Sequence, residues 1–85
     1  MQTQQQILEA MSRFRVMARG KVTVSHTAKS GKRYYSLQAR RGPRNVTRYV
    51  PAARLHDALE ATENYRRFME LVRRYVDICE ARFNL

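Results

Sequence analysis

The chain has 85 residues, 17 Lys and Arg against 7 Asp and Glu, and a formal charge of +10, a size that suits one small domain burying roughly 60% of its unfolded surface and excludes a multi-domain enzyme. No run reaches the roughly 18–20 apolar residues of a membrane span, and Met1-Gln2-Thr3-Gln4-Gln5-Gln6 has neither part of a secretory signal, so a cytoplasmic location, at the nucleoid if DNA is the partner, is expected. Cys79 is the only cysteine, which excludes an internal disulfide and an all-cysteine zinc site, and a balance this basic points to an anionic partner rather than to a fold.

Residues 1–19 are expected to form a first helix. Within 4–18 the apolar residues Ile7, Met11, Phe14 and Ala18 recur at helical spacing, with Leu8 and Met17 beside them. Thr3 suits the N-cap and Gly20 the C-terminal stop. Residues 20–50 change period to two. Val22 and Val24 share a face of a first strand, and Ala28-Lys29-Ser30-Gly31 is a turn. Lys32 to Arg41 is a second strand, with Tyr35, Leu37 and Ala39 the expected buried set. Gly42-Pro43 is a second turn, and Asn45 to Val50 a third strand. Its inward face stays open between Val46, Arg48 and Val50 on one side and Asn45, Thr47 and Tyr49 on the other. Short turns imply an antiparallel meander. Residues 51–84 read as a long amphipathic helix with Pro51 at its first position. The expected fold is α+β, in the order helix, three-stranded antiparallel meander, long helix.

The charge is segregated. From Ala10 to His56 the chain carries 12 basic residues and no acidic one, whereas Asp57 to Leu85 holds 5 basic and 6 acidic residues. A solvated basic face that merely confers solubility is the plain alternative, but a carboxylate-free stretch of this length fits nucleic-acid contact better. Arginine outnumbers lysine 14 to 3, as suits bidentate contact with phosphate or guanine.

The candidate binding residues are therefore Lys32, Arg33, Tyr34, Gln38, Arg40, Arg41, Arg44, Arg48 and Arg54, interleaved with a further aromatic, Tyr49. Cations neutralise phosphate, and aromatic faces can stack on bases. With Tyr35, Leu37 and Ala39 inward, Tyr34, Ser36, Gln38 and Arg40 point outward, a row of base-reading types. Arg54 stands in the first turn of the long helix, where the helix dipole favours an anion, so a phosphate there would satisfy both. No catalytic constellation, metal-ligand spacing or cofactor motif appears: His26 and His56 are isolated, and Gly20, Gly31 and Gly42 form no phosphate loop.

On the long helix, Tyr65, Met69, Val72, Val76, Cys79 and Phe83 continue a stripe that begins at Leu55, Leu59 and Thr62. A helix of some 30 residues runs about 45 Å, more than a three-stranded sheet covers. Its far half must therefore pack on the first helix, on a second copy or on a larger protein. Glu63–Arg67 and Glu70–Arg74 are expected i,i+4 ion pairs, with Arg66 and Arg73 as the i,i+3 alternatives.

Tyr34-Tyr35-x-Leu37, Arg48-Tyr49-Val50-Pro51 and Asn64-Tyr65-Arg66-Arg67-Phe68-x-x-Leu71 resemble a family of small, uncharacterised bacterial and archaeal proteins often met among mobile-element genes. The likeness covers about residues 20–72. The family often carries a cysteine-containing loop before the paired tyrosines; residues 21–33 here contain no cysteine, so no metal is implied. A meander followed by a helix is also similar, at the level of fold, to the arm-binding domains of tyrosine integrases, which read DNA through a sheet. The expected function is binding of nucleic acid, duplex DNA ahead of RNA, by a protein that is not an enzyme and needs no cofactor. The alternatives are a protein-interaction accessory subunit or phage-type inhibitor, and an RNA- or ribosome-associated protein.

Overall fold

The computed structural model describes residues 2–83. Helix α1 spans Gln4–Ser12, strands β1, β2 and β3 span Lys21–Thr27, Arg33–Arg41 and Arg44–Val50, and helix α2 spans Leu55–Phe83. The strands form one antiparallel sheet in the order β1-β2-β3. The fold is thus α+β, with two helices and a meander. The expected end of the second helix at residue 84 lies outside the described residues.

Thr3 caps α1 with a full capping box. Its hydroxyl accepts from the Gln6 amide at 3.2 Å, and the Gln6 side chain accepts from the Thr3 amide at 2.9 Å. These bonds satisfy two of the donors that a helix start leaves free. α1 lies antiparallel on the far half of α2. Ile7 is 1% exposed and faces a cleft it shares with Ile78, and Phe14 meets Phe68 edge to face at 6.3 Å. The glutamine run has a structural use. Gln2 accepts from Arg74 at 3.1 Å, and Gln4 accepts from Arg82 while donating to the Cys79 sulfur at 3.4 Å.

α1 ends at Ser12, short of the expected helix to residue 18 or 19, and residues 14–19 belong to no helix or strand. Spacing along α2 explains the break. Gln4 lies beside Cys79, Phe14 beside Phe68, and Ala18 beside Ala61. Between the first two contacts, both chains advance by nearly equal numbers of residues, as two antiparallel helices must. Between Phe14 and Ala18 four residues have to cover seven of α2, about 10 Å at helical rise, which only extended chain spans. α2 stabilises this segment: Ala18 donates to the Ala61 carbonyl at 3.0 Å, and the Asn64 amide donates to the Val16 carbonyl at 3.1 Å.

Gly20 opens β1 rather than closing a helix. It holds φ +118°, and a Cβ there would lie 2.3 Å from the Gln38 carbonyl oxygen, so only glycine fits. Gly42 (φ +58°) and Pro43 form the two-residue loop between β2 and β3, the residue pattern of a type II′ hairpin turn. Pro51 does not start the helix directly. A 3-10 turn over Ala52–Arg54 precedes α2.

α2 carries two apolar stripes. Half-buried Phe68, Leu71, Tyr75 and Ile78 form the one that meets α1. The expected stripe lies to its side. Its start serves the sheet, but Leu59, Val76, Cys79 and Phe83 are exposed, while Tyr65, Met69 and Val72 are half-buried. Glu70 is taken by Arg66 at 2.6 Å rather than by Arg74, which donates to Gln2; Glu63 pairs with Arg67 at 3.3 Å and with the i,i+3 alternative Arg66 at 2.6 Å.

Candidate nucleic-acid interface

Residues paired across antiparallel strands share a side, so the register assigns every strand residue to a face. Val22, Leu37 and Arg48 form one row across the sheet, and Val24, Tyr35 and Val50 the next. This is the face under α2: Leu37 and Val50 line a cleft with Ala58 and Ala61, and Val22 lines another with Leu59 and Thr62. The open choice on β3 is thereby settled. Val50, 7% exposed, is inward because Pro51 and the 3-10 turn that follow carry the chain directly into α2.

The opposite face has rows Lys21, Gln38, Thr47 and Thr23, Ser36, Tyr49, with Arg40 beside Asn45 and His26 beside Tyr34. Neither helix lies on it. Gln38, Arg40, Asn45 and Thr47 line a shallow depression there, a set of amide, guanidinium and hydroxyl groups able to address base edges. Ser36 is only 5% exposed, because on the central strand it is flanked by Thr23 and Tyr49. The outward assignment of Tyr34, Ser36, Gln38 and Arg40 matches the register.

Tyr34 is less free than a stacking platform needs to be. His26 stacks on it at 5.9 Å, and the Lys32 ammonium lies 5.4 Å from its ring centroid. His26 reaches this side through a β-bulge between Val24 and His26, where the Ser25 hydroxyl donates to the Tyr34 carbonyl at 3.2 Å. Strict alternation would have put His26 with Val24. Tyr49, 62% exposed, is the open aromatic. Lys21, Asn45 and Thr47 join the face only once the register is known, and the register places Tyr49, already among the interleaved aromatics, beside them.

The remaining expected residues divide. Arg33, Arg41, Arg44 and Arg48 belong by register to the α2 side, so they do not join the outward row. All are exposed: Arg33 stands at the start of β2, Arg41 and Arg44 flank the hairpin tip, and Arg48 lines the cleft that Leu37 and Val50 share with Asp57, Ala58 and Ala61 of α2. Arg40 donates through Nε to the Gly42 carbonyl at 3.2 Å, which holds its side chain at the same tip. Arg54 pairs with Asp57 at 3.2 Å. Asp57 thus supplies the anion that the helix start favours, and the expected demand for a phosphate there is already met.

Electrostatically the molecule has two parts. Among the described residues, every ion pair uses a carboxylate of the 57–70 region: Asp57, Glu60, Glu63 or Glu70. A hydrogen bond from Arg66 holds the Glu63 carboxyl below its ordinary range, and the same contact raises Arg66. Among the described residues, the cations from Arg13 to Arg48 have no carboxylate partner. Three strands at about 4.8 Å spacing place the outer axes of the uncovered face roughly 10 Å apart.

Among the described residues no three His, Cys, Asp or Glu side chains gather as a metal-ligand set, and no helix is long and apolar enough to cross a membrane. Comparison of the chain with protein-family models, curated proteins and solved structures finds no match in any of the three.

Proposed function

We propose that this protein is a small DNA-binding module, not an enzyme, that lays the uncovered sheet face on duplex DNA. Gln38, Arg40 and Asn45 address base edges in the major groove. Lys21 and Lys32 act from the same side, and Arg41, Arg44 and Arg48 from the flank, on the phosphates. α2 is the docking helix that joins the module to its partner protein. The mobile-element setting implied by the family resemblance suits such an accessory role. The observation that carries the reading is a polar, cation-bearing sheet face that neither helix covers.

The experiment is a salt titration of binding to duplex DNA, single-stranded DNA and structured RNA. About six simultaneous phosphate contacts give a slope of log K against log salt near −5 on duplex DNA. A slope shallower than about −2, no binding near 50 mM salt, or tighter binding to structured RNA would overturn the reading.

A further inference from the structure

The folded chain exposes far more surface than its mass requires. Its accessible surface is 7152 Å², against about 5,300 Å² for a compact monomer of this mass. Its radius of gyration is 17.2 Å, against about 12 Å for a compact domain of this length. The surplus of about 1,900 Å² exceeds the roughly 800 Å² that each partner contributes to a standard stable interface. Part of the surplus is an unpartnered apolar stripe. Val76 is 43% and Phe83 72% exposed, in line with half-buried Met69 and Val72 along α2. Leu8, exposed on α1, flanks it: Leu8 lies one turn beyond Gln4, and Gln4 touches Cys79 at the edge of the stripe.

We propose that a second copy of this chain covers the stripe, with the far halves of the two α2 helices packed antiparallel about a two-fold axis near residue 74. This names the partner of α2 in the function proposed above and rests on reading α2 as a docking helix. The stripe suits an identical copy. It centres midway between Tyr65 and Phe83, so a two-fold axis there sets Val72 against the other copy's Val76 and makes the patch self-complementary. Charge decides the orientation. The carboxylate-free segment with its 12 cations lies at the sheet end of each chain. Parallel packing would set two such ends side by side, whereas antiparallel packing separates them by about 40 Å along the helices, several Debye lengths at physiological salt.

Sedimentation equilibrium of the full chain without nucleic acid is the test. The wild type should sediment at twice 10.1 kDa at tens of micromolar. Val76→Asp should weaken association at least tenfold. Phe83→Ser should do the same, and because Phe83 lies exposed at the end of α2 it leaves the monomer fold intact should Val76→Asp fail to fold; circular dichroism confirms retained helix. Mild oxidation reports orientation. Antiparallel packing holds the two Cys79 residues about 15 Å apart along the axis, beyond disulfide reach, so no linked dimer should accumulate. A wild type that stays at single-chain mass to about 0.5 mM, an unchanged constant for Phe83→Ser, or rapid Cys79 cross-linking overturns the proposal. DNA binding that persists in a monomeric variant leaves the sheet reading standing.

Discussion

Replacing Arg40 by alanine removes a guanidinium from the uncovered sheet face with little effect on the fold. Its hydrogen bond from Nε to the Gly42 carbonyl at 3.2 Å is solvent-exposed, and no carboxylate among the described residues pairs with it. Loss of such a bond from an exposed side chain costs about 0.5 kcal/mol, a melting shift of no more than about 4 °C for a domain of this size. Binding should respond far more. If the free end of the fork reads a guanine edge, the loss is about 1–3 kcal/mol, roughly 5- to 150-fold, and falls on the preferred sequence alone. If it touches a phosphate, the loss is uniform across sequences and the salt slope becomes shallower by about 0.9. The gap between wild type and variant then closes about 3.5-fold between 50 and 200 mM salt. Arg40→Lys separates the two, because lysine restores the charge and the slope but not the planar fork. The assay is fluorescence anisotropy on labelled duplexes at three salt concentrations, with melting temperatures on the same samples. Wild-type affinity and slope in Arg40→Ala would refute the assignment of this face to DNA.

Gly20→Ala should destabilise the protein by at least about 1–2 kcal/mol, since the new Cβ meets backbone at 2.3 Å in a positive-φ conformation; a denaturant midpoint equal to wild type would show that β1 does not enter the sheet as described. The Glu63 carboxyl is held below its ordinary value of 4.5 by Arg66. Its contribution is therefore fully present above that value and is lost as pH falls through the lowered native pKa. Helicity followed by circular dichroism from pH 6 to 2 should accordingly fall later in wild type than in Glu63→Gln with the other carboxylates unchanged, and coincident curves would remove the pair from the account.

Much of this architecture is legible in local pattern. Alternating Val22 and Val24, the turns at Ala28–Gly31 and Gly42-Pro43, and the uninterrupted run after Pro51 each act over a few residues, so the strands and the long helix can be read directly. Thr3 signals the first helix start in the same way. The segregation of charge is also legible, because a cation with no carboxylate near it in sequence has few chances to find one in space.

What escapes such reading depends on separations set by other elements. Phe14 to Ala18 keeps a helical pattern yet forms no helix, because α2 fixes the distance those residues must cover. His26 joins the open face because a bulge shifts the pairing with β2. Arg48 falls on the α2 side, a choice that alternation along β3 leaves open, because the chain reversal at Pro51 places Val50 under α2. The apolar stripe from Tyr65 to Phe83 is visible in sequence, but periodicity cannot say which neighbour meets it. α1 occupies the adjacent stripe through Phe68 and Ile78, since the antiparallel path of residues 4–18 has only one line along α2 that satisfies Asn64, Ala61 and the Gln4 contacts together. Sequence determines which elements form, through contacts a few residues long; tertiary structure decides which faces stay open, because burial depends on where the other elements come to rest.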